Sequence, residues 1–275
     1  IADERGIDSG AYTYDMPPRR YLNDEGPPLL MQPERKVEHL EDFVDRIVLG
    51  DFLKVKDFTP EEFVEKVLVE RLSVDAVVVG TDWHFGKNRS GSYRDLEILN
   101  NGRFSVHPKQ QLKRNGRPVS STWIRQALRE GNIKVARELL GRNPDYLGEV
   151  VRGHGVGSEL GIPTANLDID DRIVMPKKGS YAAVVEVDGE TYRGVVHVGR
   201  RPTFEDESGH GIEAHLMEFD GDLYEKELRI EFVKYLDRNR KYHDSGELKR
   251  AIENYIEEAD RILSERSGEG KLADI

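Results

Sequence analysis

The chain has 275 residues, enough for two domains with separate cores. Its net charge of −11 excludes a general binder of nucleic acid or anionic membrane, which needs a basic field. The absence of cysteine excludes disulfides, thiolate metal sites and cysteine nucleophiles. No apolar run reaches membrane-spanning length and no signal-peptide pattern opens the chain, so the sequence reads as a cytoplasmic protein.

The first strand-like stretch is AYTYD, Ala11 to Asp15. Pro17-Pro18 and Pro27-Pro28 mark a loop. Pro33 opens a predicted helix with Val37, Leu40, Phe43 and Val44 on one face. Arg46 to Val55 reads as a strand and turn. Thr59, Pro60 and Glu62 have the spacing of a capping box with proline at the first helical position, and Phe63, Val64, Val67, Leu68 and Leu72 keep a helical period behind it. Val74 to Gly80 is nearly continuous apolar sequence, which predicts a strand covered on both faces. This alternation implies a parallel, Rossmann-like sheet.

Ser121 to Arg129 and Ile133 to Leu140 read as two short helices, and the predicted domain boundary falls near residue 142, between Gly141 and Pro144. Beyond it, YAAVVEV, YRGVVHV, EAHLMEF and LRIEFVKYL alternate and are separated by turns such as VDGE and FDGD, the rhythm of an antiparallel barrel or sandwich. Asp244 to Arg266 reads as a long amphipathic helix. The expected fold class is thus α/β plus β: an α/β domain over 1–142 and a β domain over 143–266.

The chemistry concentrates in RGHGVGSELGIPTAN, Arg152 to Asn166. Gly153, Gly155, Gly157 and Gly161 remove the side chains that keep a phosphate away from backbone. Thr164 and Asn166 then supply a hydroxyl and an amide, neutral oxygen donors of the kind Mg²⁺ accepts beside phosphate oxygens. Taken alone, the glycines equally suit a surface turn, and Thr164 and Asn166 equally suit its caps. No Gly-Lys-Ser/Thr and no helix-opening G-x-G-x-x-G occurs here.

In order and spacing, LGIPTAN (160–166), GSYAAVVEV (179–187), GVVHVGRRPTF (194–204), IEAHLMEFDGDLYEKELRIEF (212–232) and RKY (240–242) strongly resemble the riboflavin kinase module of bacterial bifunctional FAD synthetases. VVVGTDWHFGKNRSG (77–91) and VSSTWIRQAL (119–128) resemble the FMN adenylyltransferase module of the same family. The resemblance therefore covers almost the whole chain. It implies a nucleotidyltransferase domain followed by an antiparallel β-barrel kinase domain with a C-terminal helix. The implied reactions are phosphorylation of riboflavin to FMN by Mg²⁺ and ATP and, in the full-length family, adenylylation of FMN to FAD.

The same resemblance implies the residue roles. Glu213 is the base for the riboflavin 5′-hydroxyl, although its alternation with Ile212 and Ala214 also suits a plain outward strand residue. Thr164 and Asn166 hold Mg²⁺ and nucleotide, with Gly153, Gly155 and Gly157 over them, and Arg201 lies near the flavin. In the first module, Ser120, Ser121, Thr122 and Arg125 bind nucleotide phosphates at a helix start, where a serine-capped helix is the plainer reading. Asp82 and Phe85 lie around FMN. Departures from the family pattern include Val156 and Ser158 where basic residues are usual, Trp83 in place of phenylalanine, and His197 in place of asparagine.

The chain opens at Ile1, and the strand, His-x-Gly-His loop and helix that begin the family pattern do not occur in the 275 residues. The resemblance therefore implies an N-terminally truncated bifunctional enzyme. Two alternatives remain at this stage: a monofunctional riboflavin kinase with a relic first domain, and a non-catalytic flavin or nucleotide binder.

Overall fold

The computed structural model describes residues 1–22, 26–153, 157, 161–200, 210–238 and 244–268. By contacts the chain divides into two compact units, 1–27 with 33–119 and 28–32 with 120–275.

The first unit is built from short parallel pairs and capped helices. Strand β1 (Gly10–Thr13) pairs in parallel with β2 (Arg46–Leu49), and β3 (Ala76–Gly80) pairs in parallel with β4 (Ser105–Lys109). Parallel pairing with helices between is the pattern the sequence predicts. The capping box forms as spaced: Glu62 N–H donates to Thr59 Oγ1 at 3.2 Å and Thr59 N–H to Glu62 Oε2 at 3.0 Å. The helix it opens continues into a π-helical turn over Val64–Arg71. Its inner face joins Val55, Phe85, Leu96 and Phe104 in the core.

Three local expectations change. The predicted turn after β2 holds a short helix, Phe52–Val55, because the Asp51 carboxylate caps it by accepting from Leu53 N–H at 3.1 Å. The helix from Pro33 ends at Glu41, so Phe43 lies beyond its apolar face and is 81% exposed. β3 is covered on one face only: Val77 and Val79 pack on the core, whereas Val78 is 55% exposed on the opposite face.

The second unit starts with helices α1 (Ser121–Arg129) and α2 (Ile133–Leu140), each at its predicted position. Six antiparallel strands follow: β5 (Asp145–Val151), β6 (Ala165–Asp168), β7 (Gly179–Val187), β8 (Glu190–Arg200), β9 (His210–Leu216) and β10 (Glu227–Arg238). They close into a barrel in the order β6-β9-β8-β7-β10-β5. Strict alternation fills the interior with Leu167, Tyr181, Ala183, Val185, Val196, Val198, Ile212, Ala214, Leu228, Ile230 and Phe232, all buried. Phe232 meets Tyr146 and Tyr181 edge-on, at centroid distances of 5.2 and 5.0 Å. Replacing Phe232 by alanine should cost about 3–5 kcal/mol. Urea unfolding checks this, and a loss below about 1 kcal/mol would contradict this account of the core.

Outside the barrel, helix α3 (Ser245–Gly268) lays Ala259 and Leu263 on Ala182, Val195 and Met217. The segment Pro28–Gln32, read from sequence as loop, belongs to this unit. Leu29 N–H donates to the Arg172 carbonyl at 2.7 Å, Val174 N–H donates to the Leu29 carbonyl at 2.8 Å, and Gln32 Nε2 donates to the Leu147 carbonyl at 2.7 Å. Backbone pairing across about 140 positions leaves no local sequence signal.

Candidate active site

Alternation that sends Ala165 and Leu167 inward sends Asn166 outward, and the barrel register then sets its neighbours. Asn166 stands opposite Glu213, Glu213 opposite His197, and His197 opposite Ser180. Directly opposed positions lie about 4.5–5.5 Å apart at Cα. The outer face thus carries one polar row across β6, β9, β8 and β7, beside the area covered by α3. Glu213 is outward, as its alternation predicts, but half-buried within that row.

Gly153 and Gly157 lie against the start of this row. A Cβ on Gly153 would fall inside contact distance of the Asn166 amide, and one on Gly157 would lie 2.8 Å from Thr164 Oγ1. Ile162 N–H donates to the Gly157 carbonyl at 2.8 Å, just ahead of Thr164. His215 Nδ1 lies 2.9 Å from the Pro163 carbonyl, so it is the donor and ties β9 to the residue before Thr164. Gly153, Gly157, Thr164, Asn166 and Glu213 are therefore brought together. Gly155 and Arg201 lie outside the described residues.

At the far end of the row, Ser180 is buried and its Oγ lies 3.3 Å from His197 Nδ1. Burial pushes the His197 imidazole below its ordinary value and keeps it neutral at physiological pH. Its ring also lies against Gly199, where a Cβ would meet Nε2 at 3.1 Å.

The predicted residues of the first module are placed as follows. Asp82 is exposed and accepts from Gln111 Nε2 at 2.7 Å. Phe85 is 5% exposed in the core, and Trp83 stacks on it at 4.7 Å with 15° between the planes. Sequence reasoning did not assign Trp83 to the site; the i, i+2 spacing of two aromatic rings was the available signal. Ser120 Oγ accepts from Trp123 N–H at 3.3 Å and caps α1, leaving Ser121 and Thr122 exposed at the helix start. Arg125 Nε donates to the Pro28 carbonyl at 2.6 Å and so anchors the 28–32 segment.

A cleft of about 670 Å³ elsewhere on the second unit is lined by Arg129, Met175, Lys177 and Tyr235 among others, and by none of the predicted residues. The polar row lies outside that cleft.

A six-stranded barrel whose glycine-backed hydroxyl and amide adjoin a carboxylate has the parts of a phosphotransferase, and it follows an α/β unit along the chain. The FAD synthetase family matches residues 1–123 and the riboflavin kinase family residues 140–263. The bifunctional riboflavin kinase/FMN adenylyltransferase of Pseudomonas fluorescens is 33% identical over 255 residues, covering 91% of this chain and 81% of that protein. The Bacillus subtilis enzyme of the same name is 30% identical over 270 residues, covering 96% and 85%. The chain belongs to the bifunctional riboflavin kinase/FMN adenylyltransferase family, whose work is flavin cofactor synthesis: phosphorylation of riboflavin to FMN and adenylylation of FMN to FAD.

A crystal structure of a protein named a macrolide-efflux protein, from Streptococcus pneumoniae, matches with TM-score 0.83 and 27% identity over 93% of this chain and 84% of that one. Among the described residues, no helix is long and apolar enough to cross a membrane.

Proposed function

We propose that phosphoryl transfer from ATP to riboflavin takes place on the outward polar row of the barrel. The observation that carries this reading is the register placing Asn166 directly opposite Glu213, with Gly153 and Gly157 pressed on Asn166 and Thr164. Glu213 accepts the proton of the riboflavin 5′-hydroxyl as that oxygen attacks the terminal phosphate. Thr164 and Asn166 orient the nucleotide phosphates, and bare backbone at Gly153 and Gly157 lets those phosphates approach. The donor set suits Mg²⁺, since a hydroxyl and an amide are hard oxygen ligands that leave room for phosphate oxygens. When bound with the nucleotide, Mg²⁺ neutralises charge on the transferred group. Gly155 and Arg201 keep the nucleotide and flavin roles that the resemblance implies.

In the first module, Asp82 and Trp83 face the flavin with the buried Phe85 ring backing Trp83, while Ser120, Ser121, Thr122 and Arg125 serve the nucleotide phosphates. A functional boundary near residue 142 agrees with the two family matches, which end at 123 and begin at 140. The acidic, cysteine-free composition supports a cytoplasmic enzyme of small-molecule substrates.

Chromatography of products from riboflavin and Mg-ATP tests the reading. It expects FMN and ADP in equal amounts. Unchanged riboflavin with folded protein would contradict it.

A further inference from the structure

The polar row has a direction. Its order is Asn166, Glu213, His197, Ser180, one residue from each successive strand. In-line transfer needs the entering and leaving oxygens on opposite sides of the phosphoryl group. With nucleotide held on the Asn166 flank of Glu213, the acceptor alcohol approaches from the other flank, where His197 stands. We infer that His197, oriented by Ser180, binds a hydroxyl of the ribityl chain next to the reacting one and so selects flavins that carry a polyol. This inference rests on the site proposed above.

The geometry suits that task. Ser180 engages Nδ1 at 3.3 Å, and the Nε2 edge passes over Gly199. Two contacts thus hold one ring. A neutral imidazole offers one donor and one acceptor, and a hydroxyl can pair with either. With Nδ1 occupied by Ser180, Nε2 is the atom left to meet the substrate. One strand spacing, about 4.8 Å, separates this position from Glu213, within the span of a sugar-alcohol chain whose end reaches the base. On the facing strand Glu213 stands opposite His197 and His215 lies two positions along, turned to the Pro163 carbonyl; on the other side Asp237 of β10 stands opposite Ser180.

The test is flavin binding without turnover, read by quenching of flavin fluorescence. The probes are riboflavin and lumiflavin, which carries a methyl group in place of the ribityl chain. His197→Ala should weaken riboflavin binding about 10-fold, since a site built for a hydroxyl loses its partner. Lumiflavin and Mg-ADP should bind within about twofold of the unaltered protein, because neither engages the lost imidazole. His197→Asn retains a donor and an acceptor, and should recover riboflavin binding to within about threefold. Ser180→Ala should weaken riboflavin alone, by about threefold, and serves if the His197→Ala protein does not fold.

Unchanged riboflavin binding, or an equal loss for riboflavin and lumiflavin, would overturn the inference and leave His197 a packing residue. Failure of the Glu213 assignment shows separately, as full turnover in Glu213→Gln, a readout these titrations do not use.

Discussion

Glu213→Gln should lower turnover of riboflavin phosphorylation by about 10²–10⁴-fold, the range lost when a positioned general base is removed. The substitution keeps the size of the side chain and one acceptor oxygen, so riboflavin affinity should change little. The register supports a specific effect. Glu213 is half-buried on the outer face between Asn166 and His197, and the inward residues Ile212 and Ala214 hold its strand in the barrel wall. Glutamine therefore leaves the core untouched. Rates and riboflavin KM measured at saturating Mg-ATP check this, and a variant that keeps most of its turnover would return Glu213 to an ordinary outward strand position.

The second large effect falls on the nucleotide. Asn166→Ala deletes one oxygen that orients the phosphates. Gly153→Ala drives a methyl group into the Asn166 amide and displaces it. Misplacement of a positioning group by about 1 Å costs about 10²-fold in rate, so each change should lower kcat/KM for Mg-ATP by about 10–100-fold. Riboflavin binding should stay within about twofold, because the flavin is placed on the opposite flank of Glu213. Titrating each substrate against both variants separates the outcomes. Equal losses for the two substrates would mean general disruption of the barrel rather than a nucleotide site.

The sequence showed most clearly the features that rest on neighbours along the chain. The Thr59–Glu62 box, the helices α1 and α2 and four of the six barrel strands, β7 to β10, are local patterns, and each forms at or near where its period lies. Features that need partners far along the chain were hidden. The Pro28–Gln32 segment joins the second unit by backbone hydrogen bonds with Arg172 and Val174 and by the Gln32 side chain on the Leu147 carbonyl, contacts that no side-chain period reports. The one-sided cover of β3 was misread because a continuous apolar run cannot say which face meets a core.

The candidate site divides in the same way. Thr164, Asn166 and Glu213 were legible through motif resemblance, since their spacing along the chain carries it. Their order across the barrel was not legible, because register is a tertiary quantity. Only the closed sheet puts Asn166 opposite Glu213 and Glu213 opposite His197. His197 stood out in sequence only as a departure from the family pattern. Its contact with Ser180 and its proximity to Gly199 give that departure a physical setting. Arg125, read as a phosphate fork, also anchors the 28–32 segment through the Pro28 carbonyl, a contact between residues 97 positions apart.

The most direct test of the outward row as the kinase site is a crystal structure of the protein with Mg-ADP and riboflavin bound together. The account expects the terminal phosphate and metal beside Thr164 and Asn166, and the ribityl 5′-oxygen within hydrogen-bond distance, about 2.6–3.2 Å, of the Glu213 carboxylate. Density for nucleotide and flavin away from β6 and β9, with Glu213 facing solvent alone, would contradict it.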